Sequence, residues 1–250
     1  MKLLKTILKD FCSNRSDYLK NHDWRSLSED ERAIAVSGWA RPVAEKMIFG
    51  GYLQVADLYR VRIDTLELYY HEEVNDGLKD PIMYHTDDRR PKYLRKDEKG
   101  RHESLAKATG VDSYPYFEFG SFHLHTSGVD IAFEEPETYR ASFLIREFTV
   151  ESIDGTASFS DECSTHIFDF LFPYGISSES LALIEWVPKG ETGEAYVAGR
   201  KDVYQYEKKD GEYVKAGLTG FRKKEPGNLE CTRPWQFSRY KKPTTSKDSR

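Results

Sequence analysis

The segment 61–70, with the sequence Val-Arg-Ile-Asp-Thr-Leu-Glu-Leu-Tyr-Tyr, constrains the fold more than any other part of the chain. Its alternation predicts a strand with Glu67 and Tyr69 on one face and Leu66 and Leu68 on the other. A strand that is apolar on both faces is usually central in a sheet and covered by other elements. A carboxylate there is costly unless it is paired, hydrogen-bonded or used in chemistry. Glu67 is therefore the first candidate for a functional residue.

The charge of the chain argues against one class of function. The 250 residues are 38% hydrophobic, which suffices for one substantial core. The formal charge is −5, but the last twenty residues carry +5, which leaves an acidic body. An acidic body disfavours non-specific, charge-driven DNA binding and leaves room for a local basic face. The basic run 89–101 and the basic tail are either solvated segments or phosphate contacts that flank a site.

Targeting and metal signals are weak in this sequence. The three cysteines, Cys12, Cys163 and Cys231, are far apart and form neither a zinc signature nor a disulfide framework. The chain has no apolar run of transmembrane length, and lysines interrupt its N-terminal apolar stretch, unlike a signal peptide. We therefore expect an intracellular monomer away from membranes. His123 and His125 suit an exposed strand, with metal binding alongside His71 or His85 as the alternative.

The pattern of elements predicts an α+β fold. An amphipathic helix is expected over 1–20, a capping box at Ser28 and Glu31 starts a second helical stretch, and a further piece covers 42–49. The strand candidates are 52–58, 59–69, 114–119, 121–126, 129–133, 141–147 and 149–152, with a helix early in 160–175 and a hairpin around 209–211. This predicts a single domain on a curved, mostly antiparallel sheet with flanking helices. The expected divisions are an N-terminal helical extension at 1–41, the domain at 42–240 and a disordered tail at 241–250.

Six segments, taken in order, resemble motifs of one enzyme family. They are Pro42–Leu53 (PVAEKMIFGGYL), Ile63–Tyr69 (IDTLELY), Tyr116–Gly120 (YFEFG), Val129–Ile131 (VDI), Ala141–Arg146 (ASFLIR) and Arg233–Arg239 (RPWQFSR). Together they are similar to the alkyladenine (3-methyladenine) DNA glycosylases of the single-domain methylpurine type. The glutamate–tyrosine strand and the strand that ends in Arg146 carry most of the resemblance.

The resemblance implies a metal-free and cofactor-free enzyme that flips a modified purine out of double-stranded DNA and hydrolyses its N-glycosidic bond. Glu67 matches the glutamate that activates water, and Arg146 matches an arginine near that water or the target phosphate. Tyr69 matches the tyrosine that stacks on the flipped base, and Tyr116 would form the opposite wall. His85 matches a histidine of the base pocket.

Two positions shape the remaining expectations. Phe119 would be the apolar wedge that fills the gap left by the flipped base. Asp130 stands where the family places asparagine, and an acid near Glu67 would raise a carboxyl pKa by like-charge repulsion and change which base is read. Asp130, Glu118 and the acidic body favour an alternative, a non-catalytic module of the same fold that binds nucleic acid or another ligand. Glu67 itself could instead be a structural acid paired with Arg62 or Arg146.

Overall fold

Two long helices begin the chain in this computed structural model. The structure describes residues 2–74, 76–80, 83, 116–125, 128–161, 164–200 and 233–241, and the backbone of 205–209, 212–216, 222–225 and 228–230. Helix α1 spans Lys2–Asn21 and α2 spans Glu29–Phe49, with a 3-10 turn at Trp24–Ser26 between them. The capping box is confirmed: Glu31 N donates to Ser28 Oγ at 3.3 Å, and Ser28 N donates to Glu31 Oε2 at 2.8 Å.

Replacing Ser28 with alanine is expected to lower the free energy of unfolding by about 1 kcal/mol, because the first turn of α2 loses its side-chain acceptor. Urea unfolding of the two proteins measures the difference. Ser16→Ala, at an exposed position within α1, is the matched control and should not destabilise the protein. Equal midpoints for wild type and Ser28→Ala would contradict the capping role.

Helix α2 is continuous where the sequence suggested a break. It runs through the 41/42 boundary, and Pro42 lies inside it instead of starting a separate helical piece. An internal proline costs about 3 kcal/mol because it removes a backbone hydrogen bond. The burial of apolar side chains on both sides of Pro42, including Trp39 and Val43, offsets that cost. The N-terminal helices share one hydrophobic core with the sheet.

The sheet is antiparallel and curled, which confirms the α+β class. Its strands are β1 (Gly51–Val55), β2 (Tyr59–Glu72), β3 (Phe122–His125), β4 (Gly128–Ala132), β5 (Tyr139–Ser152), β6 (Ser158–Asp161), β7 (Ile184–Pro188), β8 (Tyr196–Ala198) and, near the C-terminus, β13 (Gln236–Ser238). The main order is β3-β4-β5-β2-β1-β7; β13 pairs with β2 and β8, and β6 pairs with β5. Two short helices, α3 (Ile167–Leu171) and α4 (Ser178–Ala182), lie between β6 and β7.

Strand boundaries differ from the sequence predictions in several places; β1, for example, ends at Val55, whereas the candidate strand extended to residue 58. The candidates 141–147 and 149–152 form one strand, β5, and none of the described residues 116–119 is in a strand. The remaining strands form two separate hairpins, β9 (Gln205–Lys209) with β10 (Glu212–Ala216) and β11 (Arg222–Glu225) with β12 (Asn228–Glu230). The pairing of Lys209 with Glu212 confirms the predicted hairpin. Residues 242–250 of the predicted tail and the basic run 89–101 lie outside the described residues.

Helices α1 and α2 cover one face of β2. The ring of Tyr70 lies 5.8 Å from that of Phe11 and 6.1 Å from that of Trp39, measured between centroids. Leu66 and Leu68 share this face with Tyr70 and are fully buried. Glu67 and Tyr69 therefore point to the opposite face. Among the described residues, no helix combines the length and apolar character that crossing a bilayer requires.

Candidate functional site

The face of β2 turned away from the helices is polar and buried. Glu67 lies opposite Leu144 of β5 and Gln236 of β13, and Asp130 of β4 lies opposite Leu144 in turn. Directly opposed residues of antiparallel strands share a face. The buried polar residues of this face include Thr65, Glu67, His71, Asp130, Arg140, Ser142, Gln236 and Ser238. Burying polar groups is costly unless they are hydrogen-bonded or used in chemistry, so this face is the candidate functional site.

Glu67 stands at the centre of a hydrogen-bonded cluster. Arg146 Nε donates to Glu67 Oε2 at 2.9 Å, and Arg146 Nη2 donates to Glu67 Oε1 at 2.9 Å. The Tyr69 hydroxyl donates to Oε1 at 2.6 Å and accepts from Arg146 Nη2 at 3.3 Å. A bidentate arginine–carboxylate pair is the strongest common form of charged hydrogen bond. Of the two arginines considered as partners, Glu67 pairs with Arg146, whereas Arg62 Nε donates to Asp64 at 3.0 Å.

A β-bulge in β5 brings Arg146 to this cluster. Ile145 lies opposite Leu66 and Glu147 opposite Thr65, so Arg146 is an extra residue in the ladder. Bulges bend a strand and redirect side chains, and they are common beside active sites. Here the bulge turns two consecutive charged side chains to one face: Arg146 contacts Glu67, and Glu147 accepts a hydrogen bond from the Thr65 hydroxyl.

The local environment fixes the protonation states of Tyr69 and Arg146, the two donors of the cluster. Burial raises the pKa of the Tyr69 phenol well above its ordinary value, and the negative charge of Glu67 raises it further. Burial alone lowers the pKa of Arg146, but its hydrogen bonds and charge interactions with Glu67 and Tyr69 together outweigh burial, and the net shift is upward. Tyr69 therefore remains a neutral donor, and Arg146 remains a cation. The side chain of Glu67 is 0% exposed, and that of Arg146 is 20% exposed, so the cluster reaches the surface through the arginine.

Replacing Tyr69 with phenylalanine should flatten the alkaline loss of stability. A raised folded-state pKa leaves stability unaffected up to the unfolded-state value near 10 and lowers it as the pH rises further. Each such tyrosine lowers the free energy of unfolding by about 1.4 kcal/mol per pH unit in this range. Tyr70 is also buried with a raised pKa, so its contribution remains in the Tyr69→Phe variant. Urea unfolding between about pH 9 and 11 measures the slope. Tyr174→Phe, at an exposed site, is the control; an unchanged slope in Tyr69→Phe would contradict this assignment.

Asp130 lies on the same face but two strands away from Glu67. Neighbouring strands are about 4.8 Å apart, which places the two backbones about 10 Å from each other. The two carboxylates are therefore not in direct hydrogen-bonding contact across the sheet. Asp130 is buried and lies opposite His123 of β3, whose ring stacks on Phe117 at 3.8 Å between centroids. Within the described ranges, no group of three His, Cys, Asp or Glu residues is placed to hold a metal ion.

Tyr116 lies at the far end of β2 from Glu67. Its hydroxyl donates to Glu73 and accepts from Glu137 N at 2.7 Å, and the Arg140 guanidinium lies 4.1 Å from its ring centroid. Glu73 is six residues beyond Glu67, or about 20 Å along an extended strand. The structure therefore does not bring Tyr116 to the Glu67 cluster, and the two walls of the expected base pocket do not face each other.

The remaining expected site residues are also outside the cluster. Phe119 is half-buried and packs against the hydrophobic core, while its neighbour Glu118 pairs with Lys5 of α1 at 2.5 Å. A wedge residue needs an exposed side chain, so the role of Phe119 remains a prediction that requires rearrangement. His85 lies outside the described residues.

Sequence reasoning missed an ion pair beside the cluster. Arg200 Nη1 and Nη2 donate to the two carboxylate oxygens of Asp80 at 2.7 and 3.0 Å, and both side chains are 0% exposed. The Arg200 guanidinium lies 4.8 Å from the Tyr69 ring centroid and 5.2 Å from that of Trp235. Asp80 and Arg200 are 120 positions apart and belong to no motif, so no local pattern could have paired them.

Comparison of the chain with protein-family models, with curated proteins and with solved structures found no match. The resemblance to DNA glycosylases therefore depends on the quoted motifs alone.

Proposed function

We propose that the protein is a DNA glycosylase that excises an alkylated or otherwise modified purine by hydrolysis. The observation that carries the proposal is the Glu67–Tyr69–Arg146 cluster. Motif resemblance selected these residues from two segments 79 positions apart, and they are joined by hydrogen bonds on one buried polar face. The proposed partner is double-stranded DNA with a modified base, bound inside the cell by a single copy of the chain.

The cluster has the groups that N-glycosidic hydrolysis requires. The bond between the sugar C1′ and the base nitrogen breaks with its electron pair leaving on the base, and the sugar becomes oxocarbenium-like. The carboxylate of Glu67 stabilises that positive charge and accepts a proton from the water that attacks C1′. An N-alkylated purine carries a positive charge and leaves as a neutral base, so no acid is needed on the leaving group.

Arg146 must move for this reaction to proceed. The Glu67 side chain has no exposed surface, and the partly exposed Arg146 guanidinium contacts both of its oxygens, so a water molecule reaches the carboxylate only after Arg146 shifts. The partial exposure of Arg146 gives its guanidinium a route to solvent, where a DNA phosphate is a suitable alternative partner. Tyr69 keeps its hydrogen bond to Oε1 and holds the orientation of the carboxylate during that exchange.

A base-release assay tests the proposal. The protein is incubated with duplex DNA methylated by a labelled alkylating agent, and the released material is separated by chromatography. Free 3-methyladenine or 7-methylguanine is the expected result. The absence of any released base, from a folded protein and across both modified purines, would contradict an alkylpurine glycosylase.

One observation favours a second candidate, a non-catalytic module that binds nucleic acid or another ligand. Glu67 has no exposed surface and both of its oxygens are occupied by donors, which suits a structural acid. A binding module would retain methylated duplex in a fluorescence-anisotropy titration without releasing base. Binding without release supports this candidate, and release supports the glycosylase.

A further inference from the structure

The edge of β2 changes its hydrogen-bonding partner beside the Glu67 cluster. Strand β13 pairs with β2 up to Glu67, and Leu68 N donates to Trp235 O at 2.8 Å. Beyond Glu67, the Asp80–Arg200 ion pair replaces β13 as the hydrogen-bonding partner at this edge of β2. Arg200 Nη1 donates to Leu68 O at 3.1 Å, and Tyr70 N donates to Asp80 Oδ2 at 3.3 Å. An ion pair therefore holds the backbone on both sides of Tyr69.

The same ion pair holds the ring of Tyr69. The planar guanidinium of Arg200 contacts the rings of both Tyr69 and Trp235, while Asp80 accepts from both of its terminal nitrogens. Arg233, whose guanidinium lies 4.8 Å from the Trp235 ring, extends this arrangement. A planar fork can stack on an aromatic ring and bind a carboxylate and a carbonyl at once, whereas an ammonium cannot.

Stability alone is a poor explanation for this pair. Taking two charges out of water is costly, and apolar side chains of similar volume often serve a buried site as well or better. Buried ion pairs can instead fix one conformation, and this one contacts Leu68, Tyr69 and Tyr70, the residues directly after Glu67.

We infer that Asp80 and Arg200 are positioning residues that fix the Glu67–Tyr70 segment of β2 and the ring of Tyr69 for base excision. The inference rests on the proposed function, because it assigns the pair to the same reaction. Arg200 acts through Leu68 O and the Tyr69 ring, and Asp80 acts through Tyr70 N and through Arg200. Neither residue is assigned a contact with the reacting atoms.

The test compares wild type with Arg200→Lys, and with Asp80→Glu as a second conservative variant. Both variants keep the charge of the replaced side chain but change the positions of the groups that contact β2 and each other. Arg15→Lys is the matched control, because Arg15 also pairs with an acid, Glu72, and contacts β2 through the Tyr70 hydroxyl on the opposite face. Three quantities are measured: the single-turnover rate of base release from methylated duplex, the dissociation constant for a duplex with an abasic-site analogue, and amide hydrogen exchange across β2.

Positioning predicts a specific combination of results. In Arg200→Lys and Asp80→Glu, the rate of release should fall by about 10- to 100-fold, while the dissociation constant changes by less than about threefold. Exchange of the Tyr70 amide should rise by about tenfold, while the amides of β5 opposite it keep their wild-type exchange. Arg15→Lys should keep the wild-type rate.

Two results would overturn the inference. One is a folded Arg200→Lys protein with the wild-type rate. The other concerns the case in which wild type releases no base. The proposed glycosylase activity then fails separately, and hydrogen exchange at the Tyr70 amide tests whether the ion pair orders this segment of β2. Unchanged Tyr70 exchange in both variants then removes the positioning role altogether, and a rise confined to Tyr70 and its neighbours supports the ordering of this segment of β2 but overturns its assignment to base excision.

Discussion

Glu67→Gln should reduce the single-turnover rate of base release by about 10²- to 10⁴-fold. The amide has the same shape as the carboxylate but no negative charge, so it neither stabilises the sugar cation nor accepts the proton of the attacking water. Duplex binding should change little, because Glu67 is buried and has no surface to offer the DNA backbone. The measurement pairs labelled-base release with an anisotropy titration on the same methylated duplex.

A stability control separates this chemical effect from misfolding. Removing the charge of Glu67 costs Arg146 its main partner, and a lost hydrogen bond to a charged group is worth about 1–3 kcal/mol. Arg146 has a partial route to solvent, which moderates the loss. Glu194→Gln, at a side chain that is 93% exposed, is the matched variant and should match wild type in rate and stability. Full base release by folded Glu67→Gln protein would remove Glu67 from the mechanism.

Asp80→Asn should lower the free energy of unfolding by about 3–5 kcal/mol, the larger of the two stability effects. The substitution leaves the Arg200 cation buried without its carboxylate, and Arg200, unlike Arg146, has no exposed side-chain surface through which to reach water. Arg233, 3.9 Å from Asp80, adds a second nearby positive charge. Urea unfolding near neutral pH measures the loss.

Asp17→Asn is the matched control for Asp80→Asn. Asp17 also pairs with a cation, Lys20, at 3.0 Å, but both side chains are largely exposed, so its loss should not change the unfolding midpoint measurably. A decrease below about 1 kcal/mol in Asp80→Asn would mean that Arg200 finds another partner or that water reaches it.

Local patterns in the sequence predicted the local features of this fold. The alternation of 61–70 identified β2 and placed Glu67 and Tyr69 on one face, because the side-chain period of a strand is fixed by its backbone. The capping box could also be predicted, because its two partners, Ser28 and Glu31, lie within four residues of the chain. Periodicity could not select Arg146 as the partner of Glu67; that pairing was left open against Arg62, and strand register decides it.

Local sequence patterns could not predict the long-range features of the fold. Helix α2 passes through Pro42 because burial against the sheet outweighs a local preference. Tyr116 shares a motif with the family's base pocket, yet its hydrogen bonds hold it near Glu73. The Asp80–Arg200 pair forms where two segments distant in sequence come together at the edge of β2, and no local sequence motif predicts that contact.

The position of β13 sets the order in which the polar face can assemble during synthesis. Thr65 and Ser238 form a hydrogen bond across 173 positions, so β2 is made long before the strand that completes its edge. An incomplete chain on the ribosome carries Glu67 on an open strand edge, and open edges are the usual starting points of aggregation. We therefore expect a chain truncated before Trp235 to expose this edge of β2 and to aggregate more readily than the chain that includes β13.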